Sequence, residues 1–222
     1  MKKAIGFLLF VIVGVIVLNY LIKAATAPKY SAIITEPINP SVDPIQITVE
    51  DMTPIPIKFK DGDAELTPKA KYKIAAKVCG TKRYSEPWHA LVAPYDLCLA
   101  WGRLATENFK DKLKYSQDMR WYQFVIHRDA PVDVNYVSTH SANVHVIFSD
   151  MNLIKTVSRF DEGDIIEMNG YLVFLKGKYK GYEIWWNSSL TREDTGDGSC
   201  ELFYIKSIRK GKYLYGTLPE RM

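Results

Sequence analysis

Hydrophobic residues in this chain follow three patterns in succession. Residues 4–22, AIGFLLFVIVGVIVLNYLI, form one apolar run without a charge. At ~1.5 Å per residue, a helix of this length crosses a hydrocarbon core of ~30 Å, and a buried core helix would keep a polar face over such a length. The run predicts a transmembrane anchor over residues 1–23. A cleaved signal peptide begins the same way. Its apolar core is usually only about 7–15 residues long, however, and here the small pair Ala25 and Ala27 is followed by Pro28, a poor context for cleavage. Lys2 and Lys3 before the run, against Lys23 and Lys29 after it, favour an N-terminus inside. The expectation is a single-pass inner-membrane protein with its domain in the periplasm or outside the cell.

Over residues 24–56 the periodicity dissolves. Pro28, Pro37, Pro40, Pro44, Pro54 and Pro56 remove backbone donors and favour extended chain. This predicts a stalk, within which IQITVE (45–50) could pair as an edge strand. From residue 57 to 222 a period of two takes over. In AKYKIAAKV (70–78), Tyr72, Ile74, Ala76 and Val78 alternate with lysines, as in a half-buried strand. MRWYQFVIH (119–127), NVHVIF (143–148) and ELFYIKSI (201–208) are further strands, and GDIIEMNGYLVFLKGKYKGYEIWW (163–186) reads as a hairpin turning near Gly177 to Gly181. Gly170 within it predicts a bulge or sharp bend.

Two segments carry helical spacing instead. APYDLCLAWGRLATENF (93–109) puts Leu97, Trp101 and Leu104 on one stripe, and NLIKTVSRF (152–160) does the same with Leu153, Val157 and Phe160. The expected fold class is α+β and β-rich: a transmembrane helix, then a small, mostly antiparallel, barrel-like domain of the OB type with one or two short helices.

An aromatic content of 13% lets a domain of this size bury a sizeable core. The three cysteines, Cys79, Cys98 and Cys200, are no disulfide framework. They read as small buried apolar residues, with a Cys79–Cys98 bridge left open. The net charge of +4 is mild. Lys71, Lys73 and Lys77 on the outer side of the first long strand read as a solvated face, or as a contact for anionic lipid or a wall polymer, ahead of nucleic acid.

Candidate chemistry concentrates in two loops. STHSANVHVIF (138–148) brings Ser138, His140, Asn143 and His145 close in sequence. On a strand, residues five apart face opposite ways, so His140 and His145 cannot share a metal without a bend. SSLTREDTGDGSCE (188–201) packs Ser189, Thr191, Arg192, Asp194 and Asp197 between two apolar strands. Its Asp194-Thr195-Gly196 lacks the apolar lead-in of an aspartic protease, and its two aspartates are too few for a hard cation. Turn-forming aspartates and hydroxyls that meet a polar ligand are the readings left. No phosphate loop, nucleophile elbow or HExxH motif occurs, and nothing in the sequence calls for a cofactor or metal.

SANVHVI, SSLTREDTGDGSCE and the upstream APYDLCLAWG together resemble a set shared by uncharacterised, membrane-anchored bacterial proteins (SANxHxI and SSLTRxDTGxGxCE). The resemblance spans about residues 72–208. It implies a bacterial envelope setting and no particular activity.

The leading expectation is binding of an envelope partner, or scaffolding of a membrane complex, through Ser138, His140, Asn143, Ser189, Thr191, Arg192, Asp194 and Asp197. An alternative is a hydrolase with His140 as general base and Asp194 or its loop supplying a carboxylate. A third reading, for a reversed topology, is an OB-type nucleic-acid-binding domain.

Overall fold

The structure is a computed structural model that describes residues 12–18, 21, 25–109, 111–191 and 198–219. Strands account for 48% and helices for 16% of it, so the β-rich reading of the sequence stands. The anchor does not. Among the described residues no helix is long and apolar enough to cross a membrane. This finding corrects the single-pass anchor, the signal-anchor reading and the inner-membrane, N-inside placement drawn from it.

The first short strands lie in the proline-rich segment: β1 (Ala32–Ile33), β2 (Ile45–Thr48) and β3 (Ile55–Phe59). They do not hang free. β1 pairs with β12 (Tyr213–Gly216), while β2 and β3 pair side by side with β4 (Gly62–Arg83). Two long strands organise the rest: β4, of 22 residues, and β9 (Ile165–Tyr179), of 15, paired antiparallel along their length. β4 continues into β5 (Tyr95–Ala100), β5 pairs with β8 (Ser141–Phe148), β8 runs parallel to β11 (Glu201–Lys210), and β11 returns to β9. The ring β4-β5-β8-β11-β9 is therefore closed, with one parallel contact. That order and those directions are the ones of a five-stranded Greek-key barrel of the OB type.

Closure follows from local features of the long strands. Bulges interrupt β4 against β5 between Val78 and Gly80, β4 against β9 between Pro68 and Ala70, and β11 against β9 between Ile205 and Ser207. Each adds twist and lets one strand serve two sheets. Gly170 sits where β9 bends over β11; a Cβ there would lie 2.0 Å from the Tyr204 carbonyl oxygen, so only glycine allows the approach. The barrel interior takes alternate residues of each strand: Tyr72, Ile74 and Val78; Leu97 and Leu99; Val144 and Val146; Ile166 and Met168; Phe203 and Ile205. Helix α4 (Met151–Val157), capped by Asp150, closes one end with Leu153 and Val157.

The domain is larger than the small barrel expected. Among its described residues the domain has four short helices: α1 (Trp88–Val92), α2 (Arg103–Thr106), α3 (Val134–Thr139) and α4. β9 also runs on past the barrel into β10 (Tyr182–Asn187). The segment 93–109 is corrected too: the expected helix is strand β5 followed by α2. β5 is buried on both sides, so it lacks the polar alternation that marks a strand, and its apolar residues mimic a helical stripe. A separate hairpin, β6 (Leu113–Asp118) and β7 (Trp121–Ile126), packs on β4 and β8 and reaches the outer face of β5 through Arg120 and Asp96.

Candidate functional site

The outer face of β5 and β8 carries Asp96, Cys98, Asn143 and His145, all buried, with Asp96 0% and His145 4% exposed. Register places Asp96 directly opposite His145, and Cys98 opposite Asn143. A carboxylate at that depth is costly unless charged and hydrogen-bonding partners surround it. Asp96 Oδ1 accepts from Arg120 Nη1 at 2.7 Å and from His145 Nδ1 at 2.8 Å. Because an ionised carboxylate only accepts, the His145 proton on this side sits on Nδ1, which leaves Nε2 as the atom available to a neighbour.

Arg120 arrives from above, in the turn of the β6–β7 hairpin. Asp118 pairs with Trp121, so the loop has two residues, Met119 and Arg120, at φ 46° and 71°. Two-residue hairpins of this hand want glycine or asparagine, and a methionine and an arginine held there are strained. The surroundings fix the turn. The Arg120 backbone N–H donates to the Tyr84 hydroxyl at 3.0 Å, and Asn143 Nδ2 donates to the Arg120 carbonyl at 3.0 Å. Gln117 Nε2 in turn donates to Asn143 Oδ1 at 2.8 Å. The guanidinium lies 4.1 Å from the centre of the Tyr84 ring and 5.9 Å from that of Trp186. Nη1 also donates to the Ala93 carbonyl at 2.9 Å. The other two guanidinium nitrogens, Nε and Nη2, are buried and meet no acceptor among the described residues.

Arg120 and His145 both line a cavity of about 580 Å³. Its walls include Tyr84, His89, Trp121, His145, Trp186 and Cys200, with Glu86 and Asp118 at its rim. Trp186 anchors one wall, its ring 4.7 Å from His145 and edge-on to His89 at 4.8 Å. Burial, with the nearby positive charge of Arg120, pushes the pKa of His89 down to about 4, so it is neutral at pH 7. Burial raises the Tyr84 phenol above its ordinary value, which keeps it a neutral acceptor for the Arg120 N–H.

The residues expected from sequence distribute unevenly around this cavity. Asn143 is in the network. Ser189 and Thr191 stand at the base of the adjoining loop, where they hydrogen-bond each other. The same loop returns to the cavity through Gly198 and Cys200. Arg192, Asp194 and Asp197 lie outside the described residues. Ser138 is exposed on α3, donating to the Val134 carbonyl. His140 belongs to another locality. Its ring stacks on Tyr136 at 3.8 Å, and its Nε2 lies 3.8 Å from Asp43 Oδ1, which also accepts from Trp101 Nε1 at 3.1 Å. The proline-rich segment is fastened here by Trp101 Nε1 on Asp43 and by the Gly102 N–H on the Pro40 carbonyl, with His140 alongside.

The lysines find partners within the fold: Lys73 bridges Glu167 at 3.1 Å and Lys77 donates to the Leu104 carbonyl. Further along, Glu183, Lys178, Asp63 and Lys58 lie opposite one another across β10, β9, β4 and β3, a ladder of alternating sign.

Sequence reasoning missed Arg120, Asp96, Tyr84, Trp186 and His89. One signal was present. Asp96 and His145 alternate with strongly apolar neighbours in two strands, and a polar residue there needs a partner from elsewhere in the chain. Comparison with known proteins adds no relative: no family model, no curated protein and no solved structure matches this chain.

Proposed function

We propose that the chain binds a small organic anion, with an acidic group at Arg120 and a flat or apolar body against Trp186, Tyr84 and Trp121. One observation carries the reading: Arg120 sits in a strained turn, held by Tyr84, Asn143 and Asp96, it lines a cavity, and two of its guanidinium nitrogens are buried with no acceptor among the described residues. A buried donor without a partner forfeits about 1–3 kcal/mol, and more when charged, whereas a carboxylate or phosphate matches the fork of an arginine. The volume falls within the roughly 300–1,000 Å³ of small-molecule sites, and the mix of aromatic walls with a few convergent polar groups is theirs as well. The charge ladder on β10, β9, β4 and β3 offers a polyanion no comparable net attraction.

Benzoate and phenyl phosphate are suitable probes, with benzyl alcohol as the neutral control. Either anion is expected to raise Tm and change tryptophan emission from Trp186 and Trp121, and benzyl alcohol is not. Arg120→Met should weaken anion binding at least tenfold, the loss of one charged hydrogen-bond pair. Equal responses to benzoate and benzyl alcohol, or unchanged affinity in Arg120→Met, would overturn the proposal.

A further inference from the structure

The same cavity holds a second kind of chemistry. Cys200, half-buried, lines its wall, as does His145. β8 and β11 run parallel with Leu202 level with His145 and Glu201 level with Val144, so Cys200 stands level with Asn143. Asn143 Nδ2 lies 3.8 Å from Cys200 Sγ. Adjacent strands are ~4.8 Å apart and alternate residues ~6.7 Å apart, which places the Cys200 and His145 backbones roughly 8 Å from each other with side chains on one face. His145 is held by Asp96 through Nδ1, and its Nε2 is the atom left to act. A thiol that shares a cavity and a sheet face with a histidine that a carboxylate orients, with a nearby N–H donor and a guanidinium, has the parts of an activated nucleophile.

We infer that Cys200 and His145 form an acyl-transfer pair, with Asp96 as the positioning residue. The inference deepens the anion-binding reading, since Arg120 would hold the acidic end of an ester or thioester. In the first step the Cys200 sulfur bonds to the acyl carbon, the bond from that carbon to the departing alkoxide or thiolate breaks, and the thiol proton passes through His145 Nε2 to the leaving group. Water then attacks the thioester. His145 takes the water proton and returns it to the sulfur, and the acid is released. Nothing is oxidised or reduced. Among the described residues the charged and titratable groups around the pair are Asp96, Arg120, His89, Tyr84, Glu86, Asp118, Cys98 and Glu201.

The test treats the full chain with the mono-4-nitrophenyl ester of succinic acid, which has a free acid end, and with 4-nitrophenyl acetate, which has none. Release of nitrophenol and mass mapping of the acyl adduct are followed together. The expected result is acylation at Cys200 at least tenfold faster than at Cys79 or Cys98, which serve as controls within one molecule and require no variant. His145→Gln should slow it at least tenfold. Asp96→Asn should move the pH at which Cys200 acylation rises, whereas a merely structural loss would lower the rate evenly. Cys200→Ser should lose acylation. Equal labelling of the three cysteines, or an unchanged rate in His145→Gln, would overturn the inference. Selective Cys200 labelling with no preference for the succinate ester would uphold the pair and instead overturn the role given to Arg120.

Discussion

Strands β5 and β8 have two buried faces that could hardly differ more. Inward, Leu97, Leu99, Val144 and Val146 meet the barrel core. Outward, one residue along, Asp96, Cys98, Asn143 and His145 lie as deep, under a hairpin whose turn is strained. The inner face stabilises the fold in the ordinary way, by removing apolar surface from water at about 25 cal/mol per Å². The outer face gives up that gain to hold a carboxylate, an imidazole and a guanidinium, an arrangement that well-packed apolar residues could equal or better in stability. Polar groups buried at such expense are more readily understood as chemistry than as architecture.

The largest effects should come from breaking each face in turn. Leu97→Ala leaves a cavity and is expected to destabilise by about 2–5 kcal/mol. Asp96→Ala strands Arg120 and His145 and should lose about 3–5 kcal/mol. The two diverge on repair. Replacing Asp96, Arg120 and His145 together by Leu, Met and Leu should restore stability to the wild-type level or above, while benzoate binding is lost. Urea denaturation measures both. A triple variant as unstable as Asp96→Ala would mean that the outer network is structural after all.

A smaller effect separates the faces by pH. His89, beside Trp186, titrates near 4 in the folded chain against an ordinary value of 6.5, chiefly because of burial. Between these values the unfolded chain takes up the proton first. The His89 contribution to stability is therefore present above about pH 6.5 and is lost as pH falls toward 4. His89→Gln should flatten that decline in the urea midpoint. An identical pH dependence in the variant would contradict it.

The inner face was legible in the sequence and the outer one was not, for a physical reason. Tyr72, Ile74 and Val78 alternate with lysines because one side of β4 meets solvent there, and period two stands out. The lengths of β4 and β9 were hidden by their bulges, at Pro68 to Ala70 and Val78 to Gly80. β5 has no wet side, so its periodicity pointed to a helix. Asp96 and Arg120 are 24 residues apart and meet only because a hairpin folds over the sheet. Asn143 and the loop that ends at Cys200 were picked out as unusually polar; Asn143 holds the Arg120 carbonyl, and Gly198 and Cys200 line the cavity. His140, chosen by the same reasoning, stacks on Tyr136 near Asp43, away from the cavity. The uncharged run at the N-terminus suggested a span that no described helix provides.

The smallest expected effect concerns the turn itself. Met119 adopts φ 46° and is 78% exposed, so Met119→Gly removes left-handed strain without disturbing a core contact. It should stabilise the chain by up to about 1 kcal/mol and leave Arg120 and the affinity for benzoate in place. Loss of stability in this variant would show that the methionine side chain, rather than the backbone, holds the turn.

The most direct measurement is the NMR signal of the Arg120 Nε–H group, assigned by its loss in Arg120→Met, followed during titration with benzoate. The account predicts a saturable downfield shift of that resonance, matching the tryptophan response in midpoint and missing with benzyl alcohol. A tryptophan response that saturates while the Arg120 Nε–H signal stays still would contradict it.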